Sequence, residues 1–192
     1  EVSGILDAVY ESAVLPERWP QALDRLGQAF DCRCVALIDR NLQTQEARVA
    51  TSNVDSSSQR EFLDFWSARD LVRQRTRSWR PGAIELDQQI VPKSEILASD
   101  YYNGFMKPRD MHSLMRLTLA HRSRFLTIIS LVRPPSAEEF DTPAVEQCRV
   151  LMPHLQRASN IRFQAEHAVA MLGGLSDVAD RSVTAVLLLE RG

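Results

Sequence analysis

Apolar residues recur at helical spacing at both ends of this chain and alternate or run together in its middle. From Val2 to Ala13, Ile5, Leu6, Val9 and Ala13 share one face, which predicts a helix. Pro16 opens a second helix at a first-turn position, where its missing N–H costs nothing. Trp19, Ala22, Leu23, Leu26 and Phe30 keep the spacing there. Cys34–Asp39 is an apolar run of strand length, and Ala47–Thr51 is its expected hairpin partner. The polar stretch 52–58 predicts a loop that caps a helix starting near Ser57 and carrying Phe62, Phe65, Trp66 and Arg69. Asp70 to Arg77 predicts a basic helical turn or two, Arg80-Pro81-Gly82 a turn, and Ile84–Val91 a weak strand or irregular segment. A short helix, Lys93–Leu97, follows Pro92; an aromatic helix, Ser99–Met106, is stopped by Pro108.

The period then changes to two. Met115, Leu117 and Leu119 oppose Arg116 and Thr118, so Leu114–Ala120 predicts a strand with one face on the core. His121-Arg122-Ser123-Arg124 is the turn. The return strand Phe125–Val132 is apolar on both faces and suits a central position. Pro134-Pro135 ends it, and Asp141-Thr142-Pro143 starts a long helix with a capping residue and a first-turn proline. This helix is expected to run to Gly173-Gly174, bent near Pro153. Along it Cys148, Leu151, Leu155, Ala158, Arg162, Ala165, Val169 and Leu172 trace a seam, interrupted by Arg162. The seam predicts a homodimer through Leu155, Ala158, Arg162, Ala165, Val169 and Leu172; the other reading is an amphipathic helix lying on its own domain. Ser182–Leu189 reads as a strand, and Glu190-Arg191-Gly192 as a hairpin turn opening a further domain.

The order of elements predicts an α+β fold: a central, mostly antiparallel sheet flanked by helices, of GAF/PAS-like architecture, followed by a long C-terminal helix. Residues 1–140 form the sheet domain, 141–174 the connecting helix and 175–192 the start of a following PAS-like segment. No internal repeat is evident.

Composition narrows the function. Hydrophobic content of 44% and charge of 25% over 192 residues belong to an ordinary globular chain with a real core. A net charge of −2 argues against direct nucleic-acid binding, which wants a basic face. No run is long and apolar enough to span a membrane, and no signal-peptide pattern opens the chain. Three cysteines, two of them only two residues apart, make no disulfide framework and suggest a reducing cytoplasm. Cys32-Arg33-Cys34 is too tight for a zinc pair, and His112, His121, His154 and His167 are scattered, so no metal or cofactor is expected. His154 lacks the acidic residue and proline of a phosphoacceptor helix. There is no Gly-rich phosphate loop and no Gly-x-Ser-x-Gly elbow, and a catalytic role is not expected.

Several segments resemble the N-terminal sensory region of LuxR-type helix-turn-helix transcriptional regulators. They are 15–20 (Leu-Pro-Glu-Arg-Trp-Pro), 62–70 (Phe-Leu-Asp-Phe-Trp-Ser-Ala-Arg-Asp), 99–108 (Ser-Asp-Tyr-Tyr-Asn-Gly-Phe-Met-Lys-Pro), Leu131-Val132-Arg133-Pro134, and 151–158 on the long helix. The resemblance implies a domain that senses a small molecule or a partner and controls DNA binding through a C-terminal domain absent from this chain. The quorum-sensing branch of that family reads acyl-homoserine lactones with aromatics and an Asp along a helix. Phe62, Trp66 and Asp70 recur at four-residue spacing in a similar way, but Phe62 and Trp66 replace tyrosines and no Pro follows Asp70. That ligand is therefore not the expected one.

In a fold of this kind the pocket lies between one sheet face and the connecting helices. Phe62, Phe65, Trp66, Trp79, Tyr101, Tyr102 and Phe105 supply its aromatics, with Asp70, Arg69 and Tyr101 as polar anchors. The same residues would serve as ordinary core with a helix-capping Asp. Arg69, Arg73, Arg75, Arg77 and Arg80 form a basic stretch that reads first as an exposed helix face. The competing function is an interaction module that senses nothing and only positions its dimer.

Overall fold

The computed structural model describes the backbone of residues 2–189 and the side chains through residue 166, together with 168 and 169. Helices α1 (Val2–Val14) and α2 (Trp19–Ala29) are joined by a 3-10 turn, Pro16–Arg18. Strands β1 (Cys34–Asn41) and β2 (Ala47–Thr51) follow. Next come α3 (Ser56–Glu61), α4 (Leu71–Arg75), β3 (Ile84–Leu86), α5 (Asp87–Ile90) and α6 (Lys93–Ala98), then β4 (Ser113–Arg122), β5 (Phe125–Arg133) and α7 (Thr142–Leu189). The five strands form one antiparallel sheet in the order β2-β1-β5-β4-β3. The two-sided apolar strand β5 holds the centre, as its pattern predicts. The α+β expectation, with its central sheet, flanking helices and long exit helix, is met.

Strand alternation divides the interior into two cores. Odd-numbered residues of β1, β5 and β4, among them Val35, Leu37, Ile129, Leu131, Met115 and Leu117, pack against α1, α2 and the first half of α7. Trp19, Leu23, Leu26, Cys148, Leu151 and Leu155 close that side. Each large side chain buried there contributes on the order of 1.5–3 kcal/mol. Even-numbered residues, Cys34, Ile38, Leu126, Ile128 and Val132, face the connecting helices instead. Strand β4 departs from expectation: Arg116 and Thr118 are as buried as Met115, because the connecting segments cover the second face as well. A register shift between Thr118 and Ala120 ends its regular alternation.

The connecting helices contain two π-helical turns, Phe62–Trp66 and Tyr102–Met106, each followed by a 3-10 turn, Ser67–Arg69 and Lys107–Arg109. They match residue for residue. Arg69 lies 3.6 Å over the Phe65 ring and donates to the Phe65 carbonyl; Arg109 lies 4.2 Å over Phe105 and donates to its carbonyl. An aspartate, Asp70 or Asp110, ends each. The chain thus does contain a local repeat, carried by geometry more than by residue identity.

Two expectations for the exit helix are corrected. It does not stop at Gly173-Gly174, and Ser182–Leu189 is helical, not a strand. Two glycines cost a helix only about 1 kcal/mol each relative to alanine, and Met171, Leu172 and Leu175 beside them are good helix formers. The expected turn at 190–192 lies outside the described residues. The first half of the proposed seam is also spent within the domain: Cys148, Leu151, Leu155 and Ala158 are core residues. Arg162 is no defect in a seam but an ion-pair partner of Asp39 at 2.5 Å and of Glu166 at 3.7 Å. Ala165 and Val169 are exposed, and the side chain of Leu172 lies outside the described residues.

Candidate functional site

Strand register lays out the floor of the site in four rungs. Leu114, Val132 and Cys34 form the first. Arg116, Ser130, Ala36 and Thr51 form the second. Ile128, Ile38 and Val49 form the third, and Leu126 and Arg40 the fourth. The roof is Phe62, Tyr101 and Phe105 from the two π turns, with Asp70 and Arg73 from the start of α4 and Trp79 from the link between α4 and β3. These surfaces enclose a cavity of about 80 Å3.

The aromatic roof interlocks. Tyr101 and Phe105 stack with ring centroids 5.6 Å apart, and Phe62 lies 5.6 Å from Phe105. Trp66 backs both Tyr101 and Phe105 from behind and donates to Glu61 at 2.8 Å. Gly104 permits this packing: a Cβ there would lie 2.2 Å from the Trp66 ring.

The polar side is built from three arginines and one carboxylate. Asp70 caps α4 by accepting from the Arg73 backbone N–H at 3.1 Å. Burial pushes its pKa up, opposed by that hydrogen bond and by the charge of Arg116. Arg40 and Arg73 share anchors: Arg40 donates to the Gln45 carbonyl and the Ser67 hydroxyl, Arg73 to the Ser67 carbonyl and the Gln45 side chain. Burial, reinforced by Arg73, lowers the pKa of Arg40 to about 10. Arg116 is 2% exposed. It donates to Thr76, approaches Glu85 at 3.7 Å and lies 4.5 Å over the Trp79 ring, yet its Nε has no hydrogen-bond partner.

Of the sequence-predicted site residues, Phe62, Asp70, Trp79, Tyr101 and Phe105 line the cavity together. Three do not. Trp66 is a supporting ring, Phe65 is 46% exposed under Arg69, and Tyr102 points to the far side, where its hydroxyl meets His112 Nδ1 at 2.8 Å. Arg69 also stays outside. The sequence reading missed Arg40 and Arg116 and left Arg73 on a solvated face. For Arg116 a signal existed: a strand beside a two-sided apolar strand has both faces available for cover.

Among the described residues no group of His, Cys, Asp and Glu side chains could hold a metal ion, and no helix is long and apolar enough to cross a membrane.

No protein-family model matches the chain, and no curated protein matches it in sequence. Solved structures share its fold. The LBD domain of VqsR from Pseudomonas aeruginosa superposes with a TM-score of 0.64 at 14% identity, over 85% of this chain and 94% of that one. CepR2 from Burkholderia cenocepacia, an N-acylhomoserine lactone-dependent LuxR-family transcription factor, gives 0.61 at 14% identity, over 86% and 96%. SdiA from Escherichia coli gives 0.54 at 12% identity, over 74% and 58%. The resemblance to the sensory region of LuxR-type regulators is thus present in the fold.

Proposed function

We propose that this chain is the sensory domain of a LuxR-type transcriptional regulator, non-catalytic, cytoplasmic and dimeric, which binds a small molecule between its sheet and the two π turns. One observation carries the reading: the sheet face away from α1, α2 and α7 holds a cavity with apolar and aromatic walls and a buried polar cluster on one side. That composition suits a small-molecule site.

Transmission would be a shift between two arrangements of the domain, one of which the ligand binds more tightly. The exit helix carries the bias toward a DNA-binding domain beyond this chain. In this scheme the sensor spans 1–140 and the connecting helix starts at 141, with the first half of that helix packed into the sensor's core. A homodimer would form through α7 beyond the docked half, where Ala165 and Val169 are exposed. Sedimentation of the wild type against Val169→Glu tests it: a dimer that dissociates in the variant supports this surface, and unchanged association places the interface elsewhere.

Thermal melting against a panel of small apolar alcohols, amides, lactones and acids tests the sensor reading, with Ala36→Leu as the control. A larger residue in the second rung fills the cavity, so it should abolish any ligand-induced rise in Tm. A panel that leaves both proteins unmoved favours the interaction-module reading.

A further inference from the structure

We propose that the site takes an organic anion, a carboxylate on a short apolar body, with Arg116 as its principal partner. The inference rests on the sensor reading above and names the chemical class of its ligand.

The charged groups that line the cavity are Arg40, Arg73 and Arg116 against Asp70 alone. Arg40 and Arg73 are each anchored by two hydrogen bonds to Ser67 and Gln45 at its margin. Arg116 stands at one end of the second rung, beside Ser130 and then Ala36. A guanidinium offers five donors in a planar fork. This one spends Nη2 on Thr76 and meets Glu85 only at 3.7 Å, and the facing Glu85 Oε2 makes no hydrogen bond either. Asp70 and the cross-strand Glu85 therefore offset its charge without hydrogen-bonding the fork. A buried donor without a partner is costly, and a charge-assisted bond to a bound carboxylate would remove that cost.

Size points the same way. A cavity of about 80 Å3 is smaller than the ~150 Å3 that admits benzene, so a compact planar head suits it better than a bulky one. Past Arg116 the floor continues through Ile128, Ile38 and Leu126 under the rings of Phe62 and Trp79, an apolar track for a chain. Trp79 covers Arg116 from the link between α4 and β3.

The probes are acetate, propanoate and butanoate and the primary amides of the same lengths, titrated into the purified chain by calorimetry with tryptophan emission in parallel. Carboxylates are expected to bind about tenfold or more tightly than their amides. Arg116→Gln should bring that ratio close to one, and Arg116→Lys should retain a preference for the acid. Amides binding as well as acids to the wild type overturns the anion assignment while leaving a small-molecule sensor in place. If neither series binds, the anion proposal falls; the sensor reading falls with it only if the alcohols and lactones of the wider panel also fail. The wild-type comparison stands whether or not an Arg116 variant folds.

Discussion

Asp39 and Arg40 are neighbours in β1 that serve opposite faces of the sheet. Arg40 reaches Ser67 at the margin of the candidate site, whereas Asp39 accepts from Thr127 and from Arg162 of the exit helix. Glu166, one turn on, meets both Arg162 and Arg48 of β2. A single strand thus touches the site on one side and fastens the exit helix on the other.

Arg162→Leu should therefore destabilise the domain, by about 1–3 kcal/mol, because it leaves a partly buried Asp39 carboxylate without its cation. Urea unfolding reads the loss. A double-mutant cycle with Asp39→Asn should show coupling well above the few tenths expected of independent sites. An unchanged midpoint would remove this pair from the fastening of α7.

Gly104→Ala should also destabilise, although alanine is the better helix former. A Cβ would enter the Trp66 ring, which is held between Phe65, Tyr101, Phe105 and the Glu61 carboxylate. The expected loss is about 1–3 kcal/mol, net of the propensity gain. Thermal melting of Gly104→Ala beside Gly104→Ala/Trp66→Leu separates the steric cause, since the smaller side chain should restore much of the loss.

His112 makes stability depend on pH. Burial and then nearby Lys93 depress its pKa, partly offset by Glu139 and Asp87. The folded protein thus binds that proton less readily than the unfolded chain does. The contribution is present above the unfolded histidine value, about 6.5, and is lost as pH falls below it. In the protonated ring Nδ1 is a donor, so the Tyr102 hydroxyl that meets it must then accept. Unfolding free energy followed from pH 7.5 to 5 should fall less steeply in His112→Gln than in the wild type; parallel curves would contradict this.

The three thiols should be inert in the folded protein. Burial pushes Cys32, Cys34 and Cys148 up to about 12. Reaction with a disulfide reagent at pH 7.5 should be slow and should accelerate greatly in denaturant. Fast labelling of native protein would mean that the sheet or its cover opens readily.

Periodicity in the sequence was enough to place α1, α2, the long strands, the start of α7 and the central position of β5. It also brought Phe62, Asp70, Trp79, Tyr101 and Phe105 to one place. It failed where the deciding force was tertiary. Arg116 and Thr118 alternate as a solvated face would, but a second layer covers them. Leu151, Leu155 and Ala158 keep heptad spacing, and that spacing serves docking on one's own sheet as well as pairing with a partner. Ser182–Leu189 is apolar and partly β-branched, a pattern that helix and strand share.

The division of the strands by parity bears on how such a domain changes over generations. Even-numbered positions of β1 and β5, and of β4 up to its register shift, face the cavity side, and odd-numbered positions hold the sheet to α1, α2 and α7. A substitution at Ala36, Ser130 or Arg116 would change the cavity lining without entering the helical core. One at Leu37, Ile129 or Leu117 tests folding without entering the cavity. In the proposed sensor, selection for a new ligand and selection for a folded chain would act on interleaved but separate sets of codons.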